Sequence, residues 1–177
     1  MLTFLIGGAR SGKSALAVAL AGAHGGTVTF IATSPRIEGD ADLDRRIDNH
    51  RTERPAGWNT IEEPHDLTAA LGRAGDSFVV VDCLTLWVSN LLWRGDSATE
   101  ISDVARVAAA AAAARSALTV VVSNEVGLGV HPETVLTREY RDLLGRVNQV
   151  WAASADRALL LVAGRAIPLH NPAAALA

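Results

Sequence analysis

Eight residues near the start of the chain, Gly7-Gly8-Ala9-Arg10-Ser11-Gly12-Lys13-Ser14, have the spacing Gly-x-x-x-x-Gly-Lys-Ser of a phosphate-binding loop. Glycines at its ends let backbone N–H groups curl around phosphate oxygens, and the start of the following helix adds its positive end. Lys13 is expected to reach the β- and γ-phosphates, and the Ser14 hydroxyl is placed to hold Mg2+. Lys13 is also the only lysine in the chain. A second chemically loaded position is Asp82, which ends the apolar run Phe78-Val79-Val80-Val81. A carboxylate there is expected beside Ser14, holding Mg2+ directly or through water. The third is His50, set in Asp48-Asn49-His50-Arg51-Thr52-Glu53-Arg54-Pro55, where an imidazole among guanidinium groups can hold a phosphate; a solvated surface histidine is the plain alternative.

These residues need elements to carry them. Leu2–Ile6 reads as a buried strand running into the loop, and Ala15–Leu20 as the helix that follows. Thr27–Ala32 reads as a second strand, so Thr33 and Ser34 fall at its carboxyl end, either facing the same crevice as the loop or simply ending the strand. Leu43 and Ile47, four apart in a charged stretch, suggest a short helix over 42–51. Trp58 to Glu63 leads into a helix from Asp66 to Arg73, followed by the strand that ends in Asp82. Thr85–Trp93 reads as a helix whose Trp87 and Trp93 belong to the core or to a subunit contact.

Ser97-Ala98-Thr99-Glu100 has the form of a capping box and opens an alanine-rich helix expected to reach Ala117. A strand over Leu118–Ser123, a polar loop beginning Asn124-Glu125, a helix over 134–155 and a strand over 158–163 complete the pattern. Beyond Gly164 no element is readable. Five strands separated by helices predict an α/β fold: a P-loop nucleotide-binding fold whose mostly parallel sheet has helices on both faces.

At 177 residues the chain is expected to form a single domain, residues 1–177. A formal net charge of −3 offers no electrostatic footprint for nucleic acid. One cysteine, Cys83, allows no internal disulfide and no cysteine-based zinc site, and fits a reducing cytoplasm. No apolar stretch reaches the roughly 20 residues of a membrane span. A GTPase of the Asn-Lys-x-Asp type is excluded, because that motif needs a second lysine. A small-molecule kinase, a nucleotidyltransferase and a non-catalytic nucleotide-binding regulatory module remain.

The segments Gly7–Ser14, Ile31-Ala32-Thr33-Ser34, Arg46-Ile47-x-x-His50-Arg51-x-x-Arg54-Pro55-x-x-Trp58-x-Thr60-x-Glu62, Ser123-Asn124-Glu125-Val126-Gly127-x-Gly129 and Arg141-Asp142-x-x-Gly145-Arg146-Val147-Asn148-Gln149 narrow the choice. Together they resemble the bifunctional adenosylcobinamide kinase/adenosylcobinamide-phosphate guanylyltransferase family of cobalamin biosynthesis, over residues 2 to about 164. The resemblance implies phosphorylation of adenosylcobinamide with ATP or GTP, then transfer of GMP from GTP through a GMP-histidine intermediate, giving adenosylcobinamide-GDP. It places the nucleophile on His50, with Lys13 as the other catalytic residue. It implies nucleotide contacts from Gly7, Gly8, Ala9, Arg10, Ser11, Gly12, Lys13, Ser14, Ala32, Thr33, Ser34, Arg51, Thr52, Glu53, Arg54, Glu62 and Asp82, with Mg2+ at Ser14 and Asp82. A corrinoid substrate and a homotrimer are further implications. Some relatives carry two adjacent histidines where this chain has Asn49-His50. Glu62 and Glu125 are candidates for a kinase base. A P-loop kinase of another small alcohol, with His50 structural, is the alternative.

Overall fold

The computed structural model describes residues 1–35 and 55–175, so the 42–51 helix expected from the sequence lies outside the described residues. The described elements, in chain order, are β1 (Leu2–Gly7), α1 (Lys13–Ala23), β2 (Val28–Ala32), β3 (Asn59–Glu62), α2 (Leu67–Arg73), β4 (Phe78–Asp82), α3 (Leu84–Arg94), α4 (Ala98–Ala113), β5 (Thr119–Asn124), α5 (Val135–Ser154), β6 (Arg157–Val162), β7 (Arg165–Leu169) and the single turn α6 (Pro172–Ala175). The strands form one sheet in the order β3-β2-β4-β5-β1-β6-β7. All neighbours are parallel except β6 and β7, which form an antiparallel hairpin.

Strand periodicity sorts the apolar side chains onto two faces. Leu5, Val28, Phe30, Phe78, Val80, Val120, Val122 and Leu161 pack with Ala17 and Ala21 of α1. Phe4, Ile6, Ile31, Val79, Val81 and Val121 pack on the opposite face against side chains of α2, α3, α4 and α5. The mostly parallel α/β sheet with helices on both faces is therefore present as expected. The alanine-rich α4 buries Ala105, Ala108, Ala109 and Ala112, and small side chains at helical spacing allow close approach to α5 and α2. Its start carries the full capping box, Ser97 accepting from the Glu100 N–H and the Glu100 carboxylate accepting from the Ser97 N–H.

One helix end and two edge strands depart most from the sequence reading. Helix α4 stops at Ala113 rather than Ala117, because Arg115 turns away to donate to the carbonyls of Leu71 and Ser77 and to the Thr119 hydroxyl. β3 pairs with β2 at the sheet edge although its only inward apolar side chain is the half-buried Ile61. β7 follows β6 through a two-residue turn, Ala163-Gly164, in which both residues have positive φ, 49° and 73°. That is the backbone signature of a type I′ hairpin, whose twist matches the flanking strands.

Trp87 is buried and its indole N–H donates to the His65 carbonyl at 2.6 Å, which makes it a core residue and removes it as a subunit contact. Trp93 is 73% exposed. No helix among the described residues is long and apolar enough to cross a membrane.

Candidate active site

The phosphate loop leaves β1 at Gly7, where a Cβ would run into the Leu161 carbonyl oxygen of β6, so only glycine allows the two strands this approach. Arg10 takes a left-handed conformation with φ 56°, and Gly12, φ 99°, forms the N-cap of α1. Gly8, Ala9 and Arg10 are exposed, whereas Ser11 is buried and Ser14 is half-buried in the first turn of α1. The loop is braced from behind: the Gly164 N–H of the β6–β7 turn donates to the Ser11 carbonyl at 3.0 Å. Sequence reasoning missed this contact, because an Ala-Gly turn lacks the usual Asn-Gly or Asp-Gly signal.

Lys13 is only 6% exposed, and its ammonium lies over the loop, donating to the Gly8 carbonyl at 2.6 Å and to the Ser11 hydroxyl at 3.4 Å. Burial lowers its pKa, opposed by the nearby Asp82 carboxylate and by Cys83. Asp82 stands at the C-terminal end of β4, on the α1 side of the sheet by strand alternation with Phe78 and Val80. The structure thus brings Lys13 and Asp82 into one electrostatic neighbourhood at the C-terminal ends of the strands, the place where open α/β sheets take ligands. The Cys83 thiol beneath them is pushed up to about 11, by burial first and then by the Asp82 charge.

Ala32 ends β2, and Thr33 and Ser34 follow it at the same end of the sheet. The sequence left open whether these hydroxyls face the crevice or simply end the strand, and the structure treats the two differently. Thr33 is wholly buried; its hydroxyl donates to the Cys83 carbonyl at 2.7 Å and accepts from the Cys83 N–H at 2.8 Å, so this side chain fixes the turn after Asp82 instead of facing outward. Its own carbonyl accepts from the Asn90 amide at 2.7 Å. The Ser34 hydroxyl oxygen is buried with no hydrogen-bond partner among the described residues. Glu62 is exposed at the end of β3. Glu125 is half-buried and its carboxylate accepts from the Gly127 N–H. His50, Arg51, Thr52, Glu53 and Arg54 lie outside the described residues.

A partly buried polar network behind the crevice also escaped the sequence reading. Asn148 of α5 accepts from the Ser123 hydroxyl at 2.6 Å and donates to the Asn124 carbonyl at 3.1 Å. Thr85 accepts from the Asn124 N–H at 2.9 Å, and its carbonyl accepts from the Tyr140 hydroxyl at 3.1 Å. Burial raises the Tyr140 pKa above the usual tyrosine range, with Cys83 adding to it, so the phenol stays a donor. Among the described residues no three or more His, Cys, Asp or Glu side chains gather into a metal cage.

Comparison with known proteins adds the chemistry. The chain is 40% identical to the bifunctional adenosylcobalamin biosynthesis protein CobP of Pseudomonas aeruginosa, covering 97% of this chain and 98% of that one. It is 38% identical to the bifunctional adenosylcobalamin biosynthesis protein CobU of Salmonella typhimurium and 37% identical to that of Escherichia coli, in both cases over 93% of this chain and 97% of the relative. Residues 3–169 match the profile of the family described as cobinamide kinase / cobinamide phosphate guanyltransferase, and this chain belongs to that family.

Proposed function

We propose that residues 1–177 work as one domain that carries both reactions of its family at the crevice beside the phosphate loop. The observation that carries this reading is the buried Lys13 bonded to its phosphate loop, with the strand-ending Asp82 carboxylate in its electrostatic neighbourhood, in a chain matched to the family over nearly its whole length. In the kinase step, the hydroxyl oxygen of adenosylcobinamide forms a bond to the γ-phosphorus of ATP or GTP. The bond from that phosphorus to the β–γ bridging oxygen breaks, its electron pair stays on the nucleoside diphosphate, and the hydroxyl proton leaves to solvent. The loop N–H groups and the Lys13 ammonium stabilise the charge that spreads over the phosphoryl oxygens.

In the second reaction a neutral His50 nitrogen attacks the α-phosphorus of GTP, and pyrophosphate leaves with the electron pair of the α–β bridging bond. A phosphate oxygen of adenosylcobinamide phosphate then attacks the same phosphorus, the N–P bond breaks, and adenosylcobinamide-GDP forms with the histidine regenerated. Arg51 and Arg54, close to His50 in sequence, offset charge at the α-phosphate. Gly7 to Ser14, Ala32, Ser34, Arg51, Thr52, Glu53, Arg54, Glu62 and Asp82 contact the nucleotides; the unpartnered Ser34 hydroxyl supports its place in that set. Thr33 contributes by holding Cys83 and the end of β2.

Ser14 and Asp82 offer Mg2+ the hard oxygen donors it takes, one or two from protein with the rest from phosphates and water, so the donor set fits the ion. When bound, Mg2+ supplies neutralisation of phosphate charge. The reactions run in the cytoplasm, which the free thiol of Cys83 supports. The chain assembles as a homotrimer, a reading supported by the exposed apolar side chains Trp93, Leu128, Val130, Val135 and Leu136.

The test is to incubate the protein with Mg2+ and GTP labelled at either the α- or the γ-phosphate and to follow label on denatured protein. Alkali-stable, acid-labile label from the α position only, absent in His50→Asn, is the expected result. No label from either position, with kinase turnover intact, would leave a kinase of a small alcohol in its place.

A further inference from the structure

We propose that the side-chain amide of Asn124 is a further contact to the terminal phosphoryl group, and that Asn148 and Thr85 are there to hold it in position. The inference rests on the functional reading above and deepens it.

β5 runs between the strand that ends in the phosphate loop and the strand that ends in Asp82. Gly7 lies opposite Asn124, and Asp82 lies opposite Val122, so Asn124 is the uppermost residue of the central strand, flanked by both halves of the site. Alternation fixes its direction. Val120 and Val122 pack on the α1 face, whereas Val121 and Ser123 face α5, where the Ser123 hydroxyl meets Asn148. Asn124 therefore continues the row on the α1 face, the same face on which Asp82 ends β4 and α1 begins with Lys13.

Its backbone is held from both sides. The N–H donates to Thr85 of α3 and the carbonyl accepts from Asn148 of α5, while the next N–H, of Glu125, donates to the Gly7 carbonyl at 3.0 Å. Two helices thus commit polar side chains, the buried Asn148 and the half-buried Thr85, to one strand end, which a plain turn does not need. Yet among the described residues no hydrogen bond engages the half-buried Asn124 amide itself. A pre-positioned neutral donor beside Lys13 and the loop suits a phosphate oxygen: it adds a hydrogen bond without the repulsion a carboxylate would bring. The Gly145–Gln149 segment gains a function in the same way, since its Asn148 aims Asn124 rather than touching the substrate.

The two reactions use the terminal phosphoryl group differently, and the test exploits this. It is the transferred group in the kinase step, but in guanylyl transfer it belongs to the departing pyrophosphate, one phosphate removed from the reacting phosphorus. Asn124→Ala should be assayed with cobinamide and ATP, with cobinamide phosphate and GTP, and by thermal unfolding. A fall of about a hundredfold in kinase kcat with nucleotide KM little changed, a fall of less than about tenfold in guanylyl transfer, and an unchanged melting temperature are expected. Asn124→Asp should additionally weaken nucleotide binding, through its charge. Kinase kcat within about twofold of the wild type, or equal losses in both reactions with a lowered melting temperature, would overturn the proposal. Wild-type protein lacking both activities would instead remove the functional reading, and this inference with it.

Discussion

The Gly164 N–H donates to the Ser11 carbonyl, so the turn joining the last two strands is bonded directly to the phosphate loop. The Gly164 Cα is also close to where a Cβ on Gly12 would sit, at 3.3 Å. The hairpin is thus a brace for the loop as well as the edge of the sheet.

The brace predicts opposite effects at adjacent positions. Ala163 sits at φ 49°, a conformation that costs a residue with a Cβ about 1–2 kcal/mol and that asparagine adopts more readily. Ala163→Asn should raise the melting temperature with unchanged kinetics. Gly164→Ala should lower the stability by about 1 kcal/mol and raise the nucleotide KM of both reactions, because the Ser11 contact shifts with the turn. Thermal unfolding and nucleotide titration of the two variants check this; a Gly164→Ala protein with unaltered KM would refute the coupling.

Thr33→Val keeps the shape of the side chain but strands the Cys83 N–H in a buried site. The variant should lose about 1–3 kcal/mol of stability. Because Cys83 follows Asp82 directly, kinase activity should fall as well. Denaturant unfolding alongside kinase assays measures both, and full activity in the variant would show that the turn is not set by Thr33.

Lys13→Ala should lose kinase and guanylyl transfer together, without loss of stability, since the buried ammonium is desolvated at a cost. His50→Asn should retain the kinase and lose guanylyl transfer. GMP transfer surviving in the histidine variant would sink the covalent route. Separate assays on cobinamide and on cobinamide phosphate distinguish the two outcomes.

Glu63 should contribute to the acid limb of stability. Burial pushes its pKa up, but the Asp66 N–H, the Arg73 guanidinium at 3.0 Å and the His65 N–H outweigh it and hold the carboxyl below its ordinary 4.5. With the folded value below the unfolded one, the contribution is complete above the unfolded pKa and is lost as pH falls through the folded pKa. Glu63→Gln should cost about 1 kcal/mol at neutral pH, and the gap between the two proteins should close as pH falls through the lowered folded pKa of Glu63. Urea unfolding at neutral and acid pH provides the comparison; a gap independent of pH would rule out the ionised carboxylate as its source.

The phosphate loop and Asp82 were legible in the sequence because their chemistry is local: loop, helix start and strand-ending carboxylate each occupy a continuous stretch. The edge strands were not. Asn59–Glu62 offers one half-buried apolar residue and so has no period to read, while Arg165–Leu169 is exposed throughout and contains Pro168, tolerable only at an edge. The role of Thr33 stayed open between crevice hydroxyl and strand end because the strand order β2-β4, which puts it beside Cys83, is invisible along the chain. Asn148 could be noticed within its segment, but its partners Ser123 and Asn124 come from a strand 24 or 25 residues earlier, and only packing unites them.

The chain's only lysine is the buried Lys13, whose ammonium is hydrogen-bonded to the phosphate loop. Apart from the terminal amine, a reagent that acylates amines therefore has one target on this protein, and that target is shielded by the loop's own carbonyl. The exposed terminal amine takes the first increment quickly; slow acylation beyond it, slower still with nucleotide present, would make the second mass increment a gauge of how often the loop opens.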